Sequence, residues 1–320
     1  MSTTSTPLFT TASSTANLTT HVDTNIIRQQ SSVMAIFSVI IAVFGIVFNS
    51  LSLSYFISKI RFGAHRRNND ASTTKLFAAL VVFDLSVSVA LSLFFIVSWR
   101  IDHYYQYQLS ELLSVIDIVC TTSVQMTGFL TCLLAVVRAI HLIFPFYVIN
   151  FTAVNISIAV HSLILVIWNI HIYHVYRNYV RPNDDEYLIG RIVDFFYVLV
   201  MFLTVVLSNL FSLLKLYCSQ SSHEETRENK RKATTTVAII SAIYCVCNIG
   251  FVINFGKLAI FNKNLDVFIV NISYFILLPL NSASNPLVYL IRKKDMRQYV
   301  KKLSGRLMRW RERESNADPP

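Results

Sequence analysis

Long apolar stretches separated by short polar ones set the pattern of the chain. Seven runs, approximately 33–57, 75–98, 111–136, 153–173, 189–214, 233–256 and 266–291, each reach the ~20 residues that a membrane-spanning helix needs. They take up so much of the chain that no second soluble domain fits. The pattern therefore predicts an all-α fold, a bundle of seven transmembrane helices over residues 33–291. Residues 1–32 read as a tail rich in Ser and Thr, with too few apolar groups over the first 25 to order themselves. Beyond the last run, Met296, Tyr299, Val300, Leu303 and Leu307 recur at three- and four-residue spacing, with basic residues between them. Residues 292–320 thus read as an amphipathic helix on the inner leaflet, followed by a tail.

Composition supports the membrane reading. Of 320 residues 54% are hydrophobic and only 14% charged, and the mean hydropathy is +0.51. These values exclude a disordered chain and argue against an ordinary soluble domain. The net charge of +10 is unevenly placed. Lys59, Arg61, Arg66 and Arg67 follow the first run, and Lys230, Arg231 and Lys232 precede the sixth. Seven more Lys and Arg, from Arg292 to Arg306, follow the seventh, while an alternate loop carries Asp184, Asp185 and Glu186. The positive-inside rule then puts the N-terminus outside and the C-terminus inside. The basic balance reads as a cytoplasmic face near anionic lipid, not as a nucleic-acid surface.

No basic-then-apolar signal peptide precedes the first run, so that run is expected to act as its own insertion signal. Asn17 opens an Asn-Leu-Thr sequon in the tail expected outside, which makes it the candidate glycosylation site. The sequons at Asn150 and Asn155 fall inside the cell or within the fourth run, and are discounted. Five cysteines, Cys120, Cys132, Cys218, Cys245 and Cys247, avoid the loops expected outside and form no disulfide or metal pattern.

Candidate chemistry lies where polar residues interrupt the apolar runs. Pro286 removes a backbone donor and disturbs the carbonyl four residues back. In lipid, neighbouring helices, hydroxyls or water must repair that disturbance. Asn281 and Asn285, one turn apart, should face the protein interior. Asp84 in the second run is a sharper signal, since a central ionisable residue costs about 2.5–3.5 kcal/mol even on the mildest scale. It reads either as a neutral, hydrogen-bonded packing residue or as part of a hydrated pocket holding a cation. Asn49 in the first run reads as a helix-packing hydrogen bonder. Arg138 at the end of the third run reads as a snorkelling cation, and Pro145 marks the helix leaving the membrane. Asn248 and Gly250 lie together in the sixth run, where glycine permits either a close helix contact or local loosening. His161, His171, His174 and Trp168 in the fourth run read as scattered interfacial residues in preference to metal ligands.

With these residues in place, the chain resembles the rhodopsin-like G-protein-coupled receptor superfamily over roughly residues 33–305. Asn49 is similar to that family's first-helix asparagine, and Leu80 with Asp84 to its second-helix Leu-x-x-x-Asp. Arg138 and Pro145 match the spacing of its third-helix arginine and inner-loop proline. Cys247, Asn248, Gly250 and Phe251 resemble its sixth-helix switch, and Asn285-Pro286-Leu287-Val288-Tyr289 matches its seventh-helix Asn-Pro-x-x-Tyr. There are departures. Val137 replaces the acid before the arginine, Lys230 stands near the sixth-helix acid, and Leu113 stands near the third-helix disulfide cysteine. Asn248 and Gly250 replace a Trp and a Pro, and the fifth-helix proline is missing. These departures resemble a divergent branch similar to invertebrate chemosensory receptors.

The resemblance implies a plasma-membrane receptor that passes binding of an outside ligand, odorant-like or peptide, to a heterotrimeric G protein. It implies a ligand pocket lined from the third helix by Cys120, Thr121, Val124 and Gln125. Phe251, Asn254 and Phe255 of the sixth helix, with Asn271 and Phe275 of the seventh, would complete it. Asp84, Thr127, Asn281 and Asn285 would form a polar core whose hard oxygens suit a sodium ion. Asn49, Arg138, Pro145, Asn248, Gly250, Pro286 and Tyr289 would carry switching and coupling. With no ionic latch on Arg138, ligand-independent signalling is expected. The competing reading is a transporter or channel with a polar midplane path, although no internal repeat of hydropathy supports it. An intramembrane enzyme lacks any Gly-x-Ser-x-Gly or His-Glu-x-x-His pattern.

Overall fold

The computed structural model describes residues 13–62, 68–100, 106–144, 151–178, 185–218, 224–261, 269 and 272–315. Among these residues the chain is helical except at Phe144 and Lys293. Helix α1 spans Ser13–Phe62, α2 Asn68–Arg100, α3 Gln106–Ile143, α4 Phe151–Asn178, α5 Asp185–Cys218 and α6 Glu224–Phe261. A single π-helical turn, Ser273–Leu277, leads into α7, Leu278–Arg292, and α8 follows at Lys294–Ser315. Helix α1 begins inside the stretch 1–32 that the composition assigned to a tail. Neither proline nor glycine interrupts the chain from Ser13 to Phe44, so nothing local stops that helix.

Six helices of the described residues are long and apolar enough to cross a membrane: Val33–Arg61, Thr73–Val97, Glu111–Ile143, Thr152–His174, Ile192–Lys215 and Thr234–Ile253. Their outer faces carry exposed large hydrophobics such as Phe37, Leu163, Ile167, Leu207 and Val246. A continuous apolar surface of this kind is stable only in contact with lipid. The protein is a membrane-embedded helical bundle. The run 266–291, expected as a further crossing, enters as the π turn plus α7, and α7 packs against α1, α2 and α6.

Helix α3 is the centre of the bundle, touching α2, α4, α5 and α6. Helix α4 leans on α3 and meets α5 only sparsely. Two apolar clusters hold the helices together. One, at the end bearing the C-termini of α1 and α3 (the base), includes Phe56, Phe77, Leu80, Leu130, Leu134, Ile240, Tyr289 and Met296. The other, toward the opposite end (the top), includes Ala42, Val87, Leu91, Phe95, Ile116, Cys120 and Leu278. Burial of such side chains contributes about 1.5–3 kcal/mol each relative to water. In lipid, close packing does that work instead.

The π turn has a local cause. Pro279 stands second in α7 and offers no N–H to the carbonyl four residues back. The wider turn absorbs the mismatch, and the Leu278 N–H bonds to the Ser273 carbonyl, five residues back. At the other end of α7, Lys293 leaves helical geometry with φ −98° and ψ 108°. Its N–H bonds to the Tyr289 carbonyl, and its own carbonyl accepts from Met296 and Arg297 at 3.1 and 3.2 Å. One residue thus ends α7 and opens α8, the amphipathic helix expected there.

Candidate functional site

A layer of buried polar side chains lies between the two apolar clusters. Asp84 of α2 is fully buried. Thr127 of α3 donates to Asp84 Oδ1 at 3.1 Å, and Asn285 of α7 donates through Nδ2 to Asp84 Oδ2 at 2.8 Å. Three helices therefore meet on one carboxylate. Both donors are neutral, so they hydrogen-bond the carboxylate without balancing its charge. The Oδ1 atoms of Asn49 and Asn285 are buried in the same region without partners among the described residues. Asn281 is buried beside them on α7. Carboxylate, hydroxyl and amide oxygens of this kind are the ligands a hard monovalent cation prefers over nitrogen or sulfur. Among the described residues no three His, Cys, Asp or Glu side chains cluster in a way that could hold a metal.

Asn49 has a definite task. Its Nδ2 donates to the Ser282 carbonyl of α7 at 3.0 Å. Ser282 is the residue four before Pro286, whose carbonyl the proline leaves without a helical donor. The first-helix asparagine thus supplies from outside the hydrogen bond that Pro286 removes.

Toward the base, Arg138 is not left unrestrained, as the absence of an acid had implied. Its Nε donates to Thr234 Oγ1 of α6 at 3.1 Å. This hydrogen bond, from a charged donor to a neutral hydroxyl, ties α3 to α6. The signal for it was present in the Thr234-Thr235-Thr236 run, but any of the three registers was open. Tyr289 is fully buried, its hydroxyl has no partner among the described residues, and its ring packs edge-on against Phe56 and Phe77 at 5.4 and 4.9 Å. Above these rings sits the Lys293 ammonium, 4.3 Å from the Phe77 centroid, 5.2 Å from Phe56 and 5.7 Å from Tyr289. Such a cation over aromatic faces contributes about 0.5–2 kcal/mol.

The residues expected to line one ligand pocket divide between two places. Cys120, Val124 and Phe275 join the top apolar cluster, where Phe275 packs on Phe95 at 5.2 Å. Gln125 faces the other way. Its Oε1 accepts from Asn169 Nδ2 of α4 at 2.8 Å, and Asn169 also donates to Thr122 at 3.0 Å. The helical period explains the split, because a step of one residue turns the side chain by about 100°. Thr121 and Phe251 are half-buried. Asn271 and Pro145 lie outside the described residues, as do the side chains of Asn17, Asn254 and Phe255. Asn248 is buried, with its Nδ2 turned back to the Tyr244 carbonyl of its own helix at 2.8 Å. Gly250 lets α6 approach the π turn so closely that a Cβ there would strike Ser273 Oγ.

The arrangement defines a class: a membrane-embedded, all-helical protein with a buried carboxylate at the meeting point of α2, α3 and α7. No family model matches the chain, and no curated protein matches it in sequence.

Proposed function

We propose that the protein is a seven-helix, plasma-membrane G-protein-coupled receptor with its N-terminus outside. The observation that carries this reading is the convergence of Thr127 and Asn285 on Asp84, with Asn49 capping the carbonyl freed by Pro286. A buried polar layer that ties α1, α2, α3 and α7 can take two arrangements and so couple the two ends of a bundle. A ligand at the top would favour one of them, shifting an equilibrium that exists without it. At the base, opening would break the bond between Arg138 and Thr234. A hydrogen bond to a charged group is worth about 1.5–3 kcal/mol. The reading includes activity without ligand, because Val137 stands in place of an acid beside Arg138. A sodium ion at Asp84 would supply a positive charge to the carboxylate, held by Thr127, Asn281 and Asn285, and would favour the resting arrangement.

Nucleotide exchange on a purified heterotrimeric G protein, with the protein in nanodiscs, tests the proposal. The wild type should accelerate exchange above the G protein alone. Thr234→Ala should raise the rate severalfold, and Arg138→Ala should return it to background. Sodium should lower the rate relative to a large organic cation, and Asp84→Asn should remove that difference. Exchange at background in wild type and Thr234→Ala alike, across a panel of G proteins and ligands, overturns the receptor reading. Solute uptake or conductance in the same preparations would replace it with a transporter or channel.

A further inference from the structure

Helix α8 leaves the bundle soon after it begins. Met296 is buried in the base cluster. Tyr299 packs edge-on against Tyr55 of α1 at 5.7 Å, and its hydroxyl donates to Ser54 at 3.2 Å. Both partners lie in the last turns of the α1 segment Val33–Arg61, so α8 starts at the depth where that span ends. From Lys301 onward no described side chain is buried. The apolar stripe nevertheless continues, because Val300, Leu303 and Leu307 prolong the line of Met296 and Tyr299. Over Lys294–Ser315 eight Lys and Arg stand against three Asp and Glu. A helix with that stripe and that charge, fixed at the rim of a membrane-embedded bundle, is complementary to an anionic leaflet.

Ser304 interrupts this surface. It is exposed, and its hydroxyl turns back to the Lys301 carbonyl at 2.9 Å. It stands one turn from Val300 and Lys301 and two from Arg297, where the apolar stripe meets a cationic flank. Lys301 and Lys302 precede it by three and two residues, Arg306 follows by two, and all three are exposed. Cations just ahead of a hydroxyl are what the acidic groove of a base-directed protein kinase selects. Thr234 has Arg231 and Lys232 at the same two positions, but it is buried and bonded to Arg138. Ser304 combines the pattern with access.

A kinase groove takes an extended segment, so the helix must open there. Gly305 eases the opening. At each of the other described glycines, from Gly45 against Ser88 to Gly256 against Phe195, a Cβ would meet a neighbouring side chain, and close packing explains the residue. At Gly305 a Cβ would meet nothing within 4 Å. Glycine inside a helix lowers the local helix equilibrium about fivefold relative to alanine.

We infer that Ser304 is a phosphorylation site and that its phosphate lifts α8 from an anionic leaflet. The phosphoryl donor is ATP. Ser304 Oγ bonds to the γ-phosphorus as the bond from that phosphorus to the bridging oxygen breaks, ADP leaves, and the hydroxyl proton passes to the kinase's base. The product carries about two negative charges among the cations that face the lipid. One charge near such a surface changes binding about fivefold, so two shift the balance of seated and lifted helix on the order of thirtyfold. The inference rests on the placement of α8 and not on coupling to a G protein.

The test uses the full chain in nanodiscs of phosphatidylcholine, with and without phosphatidylserine. Both faces of a nanodisc are open, so orientation does not enter. ATP and the catalytic subunit of the cyclic-AMP-dependent kinase, a base-directed enzyme, are added, and mass spectrometry locates the phosphate. Ser304 should be modified, more slowly with phosphatidylserine present because the seated helix is shielded, and more slowly still in Gly305→Ala. Hydrogen exchange of the α8 peptides supplies a second readout. Before phosphorylation, exchange should be slower in the phosphatidylserine discs. Phosphorylation should speed it there at least fivefold and change it little in phosphatidylcholine alone, and Ser304→Ala treated alike should not respond. An unmodified Ser304 in phosphatidylcholine discs overturns the inference. So does equal exchange in the two lipids before phosphorylation, which would mean that the bundle, a second copy or solvent meets the stripe. A phosphate that leaves exchange unchanged with phosphatidylserine, or a response that persists in Ser304→Ala, overturns it as well.

Discussion

Pro286 and Asn49 show how a single side chain can correct a single backbone defect. The proline leaves the Ser282 carbonyl without its helical donor, and Asn49 reaches it from another helix at 3.0 Å. A buried carbonyl left unpaired costs about 1–3 kcal/mol. Asn49→Ala should therefore lower stability by about that amount, read as a fall in thermal midpoint in detergent. Pro286→Ala restores a backbone N–H, so the same Asn49→Ala change made in that background should cost much less. Equal losses in both backgrounds would mean that Asn49 acts through packing and not through this carbonyl. The need for such a repair was legible in the sequence, because proline chemistry is local. Its source was not, because 233 residues separate donor and acceptor and several polar side chains are able to serve. The same holds for Gln125, whose residue type fits a ligand pocket. Its partner, Asn169, lies 44 residues away on α4 and directs it elsewhere.

Between elements, the contact of α6 with the π turn is readily tested. Gly250 is where a family-like pattern would have a proline, and here it serves as a gap into which Ser273 fits. Gly250→Ala drives a methyl into Ser273 Oγ, a side-chain end that is buried and has no hydrogen-bond partner among the described residues. Overpacking of this sort costs about 1–3 kcal/mol. Gly250→Ala should lower the thermal midpoint, and Ser273→Gly in the same chain should restore most of the loss. No rescue would show that the helices are held apart there by something other than these two residues. The element boundaries themselves were largely legible. The apolar run 33–57 corresponds to Val33–Arg61 of α1, and the run 153–173 to Thr152–His174 of α4. Hydropathy is a sum over many residues and tolerates error at any one of them. The π turn was not legible, since in the sequence Pro279 reads as a helix start, where proline is commonplace, and not as a residue inside a continuing helix. Lys293 was counted among the basic residues of an inner surface. Its place above Phe56, Phe77 and Tyr289 follows from the sharp break between α7 and α8, which carries its side chain back over the base of the bundle.

For the molecule as a whole, the distribution of charge makes one prediction that no helix packing can make. Asn17 sits 16 residues before Val33, and at 1.5 Å per residue a continuous helix would lift it about 24 Å clear of the apolar segment. If the N-terminus is outside, expression in a glycosylating cell should add a glycan there. Asn17→Gln should then shift the protein to the mobility of enzymatically deglycosylated wild type. A wild type insensitive to deglycosylation, together with a tag at the N-terminus reached only after the membrane is made permeable, would reverse the orientation.

The order and length of the apolar helices, their confinement to a membrane and the need to bury Asp84 were all determined by the sequence alone. Each is set by the composition of one continuous segment and by the high cost of polar groups in hydrocarbon. Which polar groups meet was decided only by the tertiary structure. Thr127 and Asn285 on Asp84, Thr234 on Arg138, and Tyr197 on His161 are pairings across helices. Each depends on the rotation and depth of two separate rods. A shift of one residue turns a side chain through about 100°, and so the partner of a polar group is a property of the assembled bundle.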